Sequence, residues 1–217
     1  MGRLVSIKTL AGCDFTLQPS LDRNRILALA PLEFINRHEV VHFLGQPGCG
    51  KTHLAIALGV AAVKAGRGVY FCTLAEPIAS LAKAEREGSL RERLRFWCRP
   101  QLLIVEQIGC LPVVPGGANL FFQLLNARYE RGAMILTSNR GFAEWGDVFG
   151  HSVVATALLD RLLHHAVVIH IEGASCRLRR QADLIPENLR LGPFARIAPP
   201  PRPGRPPKHQ PTQPVLA

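Results

Sequence analysis

Long apolar runs are missing from this 217-residue chain. The longest, over residues 54–63, stops at Lys64, well short of the ~18 residues a membrane-spanning helix needs. No membrane partner is expected, and the start lacks the apolar stretch of a secretory signal ahead of Cys13 and Asp14. Closely spaced cysteines are missing too. The six, at 13, 49, 72, 98, 110 and 176, stand far apart with no metal-ligand spacing, which reads as reduced thiols in a cytoplasmic protein. No internal repeat recurs at any period of about 20 to 50 residues. Acidic side chains are scarce: 16 Asp and Glu face 26 Lys and Arg, for a formal charge of +10. Apolar residues nevertheless make up 47%, which excludes wholesale disorder and suffices for one domain with a small appendage.

The positive charge is unevenly placed. Residues 177–217 hold eight basic and two acidic side chains, while residues 1–176 hold eighteen and fourteen. A polyanionic partner is expected, met first by the tail. Eight prolines fall within residues 199–217, so that stretch should be extended and solvated.

Upstream, short apolar runs alternate with helical patterns. Strands are predicted over 40–44, 69–72, 102–105, 133–137 and 167–171. Helices are predicted over 52–65, 76–96 with a break near Gly88, 119–129 and 153–164. Continuous apolar strands separated by helices mean a five-stranded parallel sheet covered on both faces, a doubly wound α/β domain.

Gly45-Gln46-Pro47-Gly48-Cys49-Gly50-Lys51-Thr52 fits the phosphate-binding pattern GxxxxGK[ST], after a strand and before a helix as the chemistry requires. The glycines let backbone N–H groups turn inward around phosphates, and the helix N-terminus adds partial positive charge. Lys51 is expected to reach the β- and γ-phosphates of ATP and the Thr52 hydroxyl to ligate Mg²⁺. Cys49 is read as a small residue that fits the loop.

Phosphate-loop ATPases place a metal-side Asp at the end of a neighbouring strand, followed by a Glu that polarises water. Here the strand ends Val105-Glu106-Gln107-Ile108. In the favoured frame Glu106 serves the metal and Gln107 replaces the base. An amide cannot accept the proton, which costs roughly 10²–10⁴-fold in rate. The alternative frame gives Glu106 the base role and leaves no metal carboxylate.

From about residue 15 to 186 the chain resembles the IstB-like ATP-binding proteins, transposition helper ATPases related to the DnaC helicase loader. The resemblance rests on the phosphate loop with Thr52-His53-Leu54-Ala55 and on Gly117-Ala118-Asn119-Leu120 and Ala127-Arg128-Tyr129-Glu130-Arg131-Gly132. Leu136-Thr137-Ser138-Asn139-Arg140, Glu144-Trp145-Gly146-Asp147-Val148-Phe149-Gly150 and Leu159-Asp160-Arg161-Leu162-Leu163-His164-His165 continue it in order. It implies an AAA+ type P-loop NTPase core over 37–190, after a lead-in with a short helix over 1–36 and before a disordered Pro- and Arg-rich tail over 191–217. By the same resemblance Asn139 is the polar sensor beside the γ-phosphate, its rival being a turn asparagine. Arg161 is the arginine presented to a neighbouring subunit's nucleotide, its rival a paired surface arginine, and Arg177 is the second sensor. Trp145 is expected to pack, and the tandem His164 and His165 to face solvent. Departures from the family are Glu106-Gln107, Cys110 in place of Tyr, and a start almost at the core where relatives carry a helical domain.

In the tail, Arg202-Pro203-Gly204-Arg205-Pro206-Pro207-Lys208 resembles an AT-hook, with Arg202, Arg205 and Lys208 against the minor groove of double-stranded DNA. Pro203 stands where hooks carry Arg, and a merely solubilising extension is the rival reading. The resemblance implies an ATP- and Mg²⁺-binding protein that self-associates on DNA and works with the transposase of the same insertion sequence; Gln107, a departure from the family, implies impaired hydrolysis. A helicase-loader-like replication ATPase and a non-catalytic remnant binding DNA or a partner are the alternatives.

Overall fold

The computed structural model describes residues 8–13, 15–18, 20–110, 113–150, 152–173 and 175. Arg177 and the whole 191–217 tail lie outside the described residues.

Five parallel strands form one sheet: β1 (Val40–Gly45), β2 (Val69–Thr73), β3 (Leu102–Ile108), β4 (Ala133–Ser138) and β5 (Ala166–Ile171). Their order is β2-β3-β4-β1-β5, and β4 separates the strand that feeds the phosphate loop from the strand that carries Glu106. The alternation of side chains along a strand divides the core in two. Leu102, Ile104, Ala133, Ile135, Val41 and Phe43 face one layer; Leu103, Val105, Met134 and Leu136 face the other.

The first layer holds α1 (Arg23–Leu27), α2 (Glu33–Asn36) and α3 (Lys51–Lys64). Asp22 starts α1, its Oδ1 accepting bonds from the Asn24 and Arg25 amides at 2.8 and 3.3 Å, the usual remedy for unpaired N–H groups at a helix start. Ile26, Phe34 and Ile35 are buried in the same cluster as Leu54, Ala55 and Leu58 of α3.

The second layer holds α4 (Ala75–Arg86), α5 (Leu90–Cys98), α6 (Gly117–Arg128), α7 (Trp145–Phe149) and α8 (Ser152–Leu163). The long pattern predicted over 76–96 is two helices, divided at Gly88 with φ of +70°, a conformation glycine adopts without strain. Trp145 is fully buried against Phe142 and Phe149, the packing role expected of it. Among the described residues no helix is long and apolar enough to cross a membrane.

Candidate nucleotide site

The phosphate loop leaves β1 at its C-terminal end and runs directly into α3. Gly48 and Gly50 hold φ of +82° and +105°, conformations open to glycine and strained for other residues. A Cβ at Gly48 would strike the Ser175 hydroxyl, whereas one at Gly50 would meet nothing within 4 Å. The loop therefore packs on its own domain at Gly48 and stays open at Gly50, in front of the α3 N-terminus. That opening is the fit a phosphate chain requires.

Lys51 is buried, yet its ammonium is not stranded. Nζ donates to the Gly45 and Gln46 carbonyls at 2.7 and 2.8 Å and meets Cys49 Sγ at 3.7 Å. Burial pulls its pKa below the ordinary lysine value, and Cys49, Cys110 and Glu106 push it back. Phosphate oxygens arriving at this ammonium favour its charged form further. Cys49 itself is 2% exposed, a small core side chain under the loop.

Glu106 and Gln107 sit on a β-bulge. Val105 pairs with Leu136 and Ile108 with Ser138, so two residues of β3 oppose the single Thr137. Gln107 takes φ of +64° and is exposed; Glu106 is buried. Thr137 Oγ1 holds both, accepting from the Gln107 amide at 3.3 Å and donating to Glu106 Oε1 at 3.5 Å. The Glu106 backbone carbonyl accepts from the Leu74 amide at 2.9 Å. The bulge thus turns the carboxylate inward, within electrostatic reach of Lys51, and the amide side chain outward. Thr52 and Glu106 are hard oxygen donors suited to Mg²⁺, which dehydrates reluctantly and is commonly held by one or two protein ligands plus phosphates. No cluster of three or more His, Cys, Asp or Glu side chains forms a separate metal site among the described residues.

Asn139 follows β4 and reaches back toward the same loop. Its Nδ2 lies 3.0 Å from Cys110 Sγ, and its amide donates to the Ile108 carbonyl at 3.3 Å. Lys51, Glu106, Cys110 and Asn139 therefore converge at the C-terminal edge of the sheet, where ligands bind in open α/β folds. Thr137 and Cys110 are the members sequence reasoning did not place there. The signal for Cys110 was its departure from the family tyrosine; no sequence signal marks Thr137 as a bulge anchor.

Arg161 is elsewhere. It is exposed on the last turn of α8, with its guanidinium 4.8 Å from the centre of the Tyr129 ring. The neighbouring His165 carbonyl accepts from the Val40 amide at the start of β1. Six residues of β1 separate that point from the loop, roughly 20 Å at ~3.3 Å per residue. Arg161 is thus remote from its own nucleotide site. His164 is exposed, its Nδ1 2.7 Å from the Tyr129 hydroxyl, and the His165 ring stacks on Tyr129. Arg177, Arg202, Arg205 and Lys208 fall outside the described residues.

With that geometry established, the comparisons with known proteins are specific. The family model of IstB-like ATP binding proteins matches residues 1–183. A putative ATP-binding protein of insertion sequence IS21 from Pseudomonas aeruginosa is 51% identical over 188 residues, covering 86% of this chain and 71% of the relative. Among solved structures, DnaI shares 20% identity with a TM-score of 0.62, over 81% of this chain and 93% of DnaI. A DNA replication initiation factor shares 21% with a TM-score of 0.58, over 75% of this chain but only 49% of its own. These two likenesses establish the shared fold. The family match and the insertion-sequence relative establish more: this chain belongs to the IstB-like ATP-binding family.

Proposed function

We propose that this chain binds ATP with Mg²⁺ at the phosphate loop and uses that binding to assemble on double-stranded DNA, assisting the transposase of its own insertion sequence. The observation that carries the reading is the loop itself, with Lys51 buried at its centre and Glu106 within its electrostatic reach. Thr52 and Glu106 would hold Mg²⁺, which would neutralise phosphate charge, and Asn139 would face the γ-phosphate. Binding and hydrolysis separate at Gln107. Its exposed side chain stands where a base would take a proton from water, and an amide has no capacity to do so.

The decisive experiment measures nucleotide affinity and turnover together, with and without duplex DNA. ATP should raise the melting temperature, Lys51→Ala should abolish that shift, and turnover should be slow with either variant of the assay. The double change Glu106→Asp with Gln107→Glu should raise turnover roughly 10²-fold or more. A brisk wild-type rate that Lys51→Ala removes would mean the base lies elsewhere. The insertion-sequence relative at 51% identity favours transposition over the replication alternative.

A further inference from the structure

A second cavity opens at the edge of the sheet opposite the phosphate loop. Its volume is about 180 Å³, and Ile35, Asn36, His38, Arg67, Gln101 and Arg131 line it. The topology explains why these residues meet. Asn36 and His38 precede β1, Arg67 precedes β2, Gln101 precedes β3 and Arg131 precedes β4, four neighbouring strands whose N-terminal ends lie side by side.

The lining chemistry is one-sided. Two guanidiniums enter from separate turns, and among the described residues no carboxylate lines the space. Arg67 commits one N–H, to Asn36 Oδ1 at 2.7 Å. The Arg131 side chain makes no hydrogen bond or ion pair among the described residues. Gln101 Oε1 accepts from the Gly68 amide at 3.1 Å, which leaves its NH₂ group to donate. The Glu33 carboxylate accepts from Asn36 Nδ2 at 3.4 Å but is not part of the lining. A guanidinium carries five donors in a planar fork that matches phosphate oxygens, so the described lining is rich in donors and offers no anion to them.

We propose that this cavity is a phosphate-binding site, distinct from the nucleotide loop, and that it grips a backbone phosphate of duplex DNA. The DNA source rests on the proposed function; the phosphate chemistry does not. Roughly 20 Å of strand separates it from Lys51, so one ATP cannot fill both.

The test compares wild type, Arg131→Gln and Arg67→Gln/Arg131→Gln as full chains, with the phosphate loop saturated by a non-hydrolysable ATP analogue. One arm measures affinity for a mixed-sequence duplex across a salt series. The other measures the melting shift given by inorganic phosphate. Arg131 is exposed and Arg67 half-buried. Arg131→Gln alone, whose side chain makes no hydrogen bond or ion pair among the described residues, should melt as wild type does. It guards against misfolding in the double variant, which also gives up the Arg67 bond to Asn36. Loss of the Arg grip should lower the salt slope by about 1, the value for one phosphate contact, and weaken duplex binding about tenfold, while analogue affinity stays constant. Should wild type bind no duplex, the DNA reading fails alone. The phosphate arm then decides the cavity, a shift lost in Arg131→Gln identifying a free-anion site. Identical behaviour of wild type and both variants in both arms overturns the proposal.

Discussion

His42 sits in the middle of β1 with its ring fully buried and, among the described residues, neither nitrogen in a well-formed hydrogen bond. Phe142 meets it edge-on at 5.2 Å and Trp145 lies 6.3 Å away. Burial drives its pKa from 6.5 down to about 4, with the Leu162 backbone offsetting a little. The folded protein therefore refuses a proton that the unfolded chain accepts. The stability from a neutral His42 is complete above pH ~6.5 and drains away as pH falls toward 4, by about 3 kcal/mol in all. Urea titrations at pH 7, 5.5 and 4.5 should register that decline, and His42→Leu should flatten it. An equally steep decline in the variant would assign the effect to other groups. Arg128 is the opposite solution to burial. It is 1% exposed and pairs with no carboxylate among the described residues, but its guanidinium donates to the Trp97, Pro100 and Ala133 carbonyls at 2.8 to 3.1 Å. Burial lowers its pKa only to about 10, so it stays charged and ties α5, α6 and β4 together.

At the scale of elements, the bulge in β3 is the feature that gives the acidic pair its geometry. One extra residue against Thr137 sends Glu106 and Gln107 to different surroundings, and the Thr137 hydroxyl is the shared anchor. Thr137→Val keeps the shape and removes the anchor. Stability should fall by about 1–2 kcal/mol, and the gain in ATP affinity on adding Mg²⁺ should shrink severalfold; fluorescent-nucleotide titrations with and without the metal measure it. An unchanged metal effect would show that Glu106 needs no such support. The strands themselves were legible because all five are near-continuous apolar runs, and the phosphate loop because its glycines and Lys51 have one physical use together. The bulge was not. Val105-Glu106-Gln107-Ile108 has no glycine or proline to announce it, and only pairing with β4 reveals the unmatched residue. The Arg67 and Arg131 cavity was hidden for a related reason: its members lie on turns 64 positions apart in sequence and meet only through strand order.

Across the whole molecule, the parallel sheet separates two chemistries by the length of a strand. The C-terminal edge gathers Lys51, Glu106, Cys110 and Asn139; the N-terminal edge carries Arg67, Arg131, Arg161, His38, His164 and His165. A single subunit cannot bring Arg161 to its own phosphates, because the sheet stands between them. A second copy can, if its phosphate loop faces the first subunit's α8. Tyr129 already holds the Arg161 guanidinium against its ring at 4.8 Å, a cation–π contact that orients the cation without neutralising it. If Arg161 serves a neighbour, Arg161→Ala should leave nucleotide affinity of the dilute monomer unchanged and abolish ATP-dependent self-association. Sedimentation velocity over a protein concentration series, with and without a non-hydrolysable analogue, separates the two effects. Tyr129→Leu should weaken assembly less, since it loosens the guanidinium and keeps its charge. Analogue-driven assembly of Arg161→Ala at wild-type concentrations would return Arg161 to the role of a surface arginine, and would leave assembly to be carried by contacts away from α8.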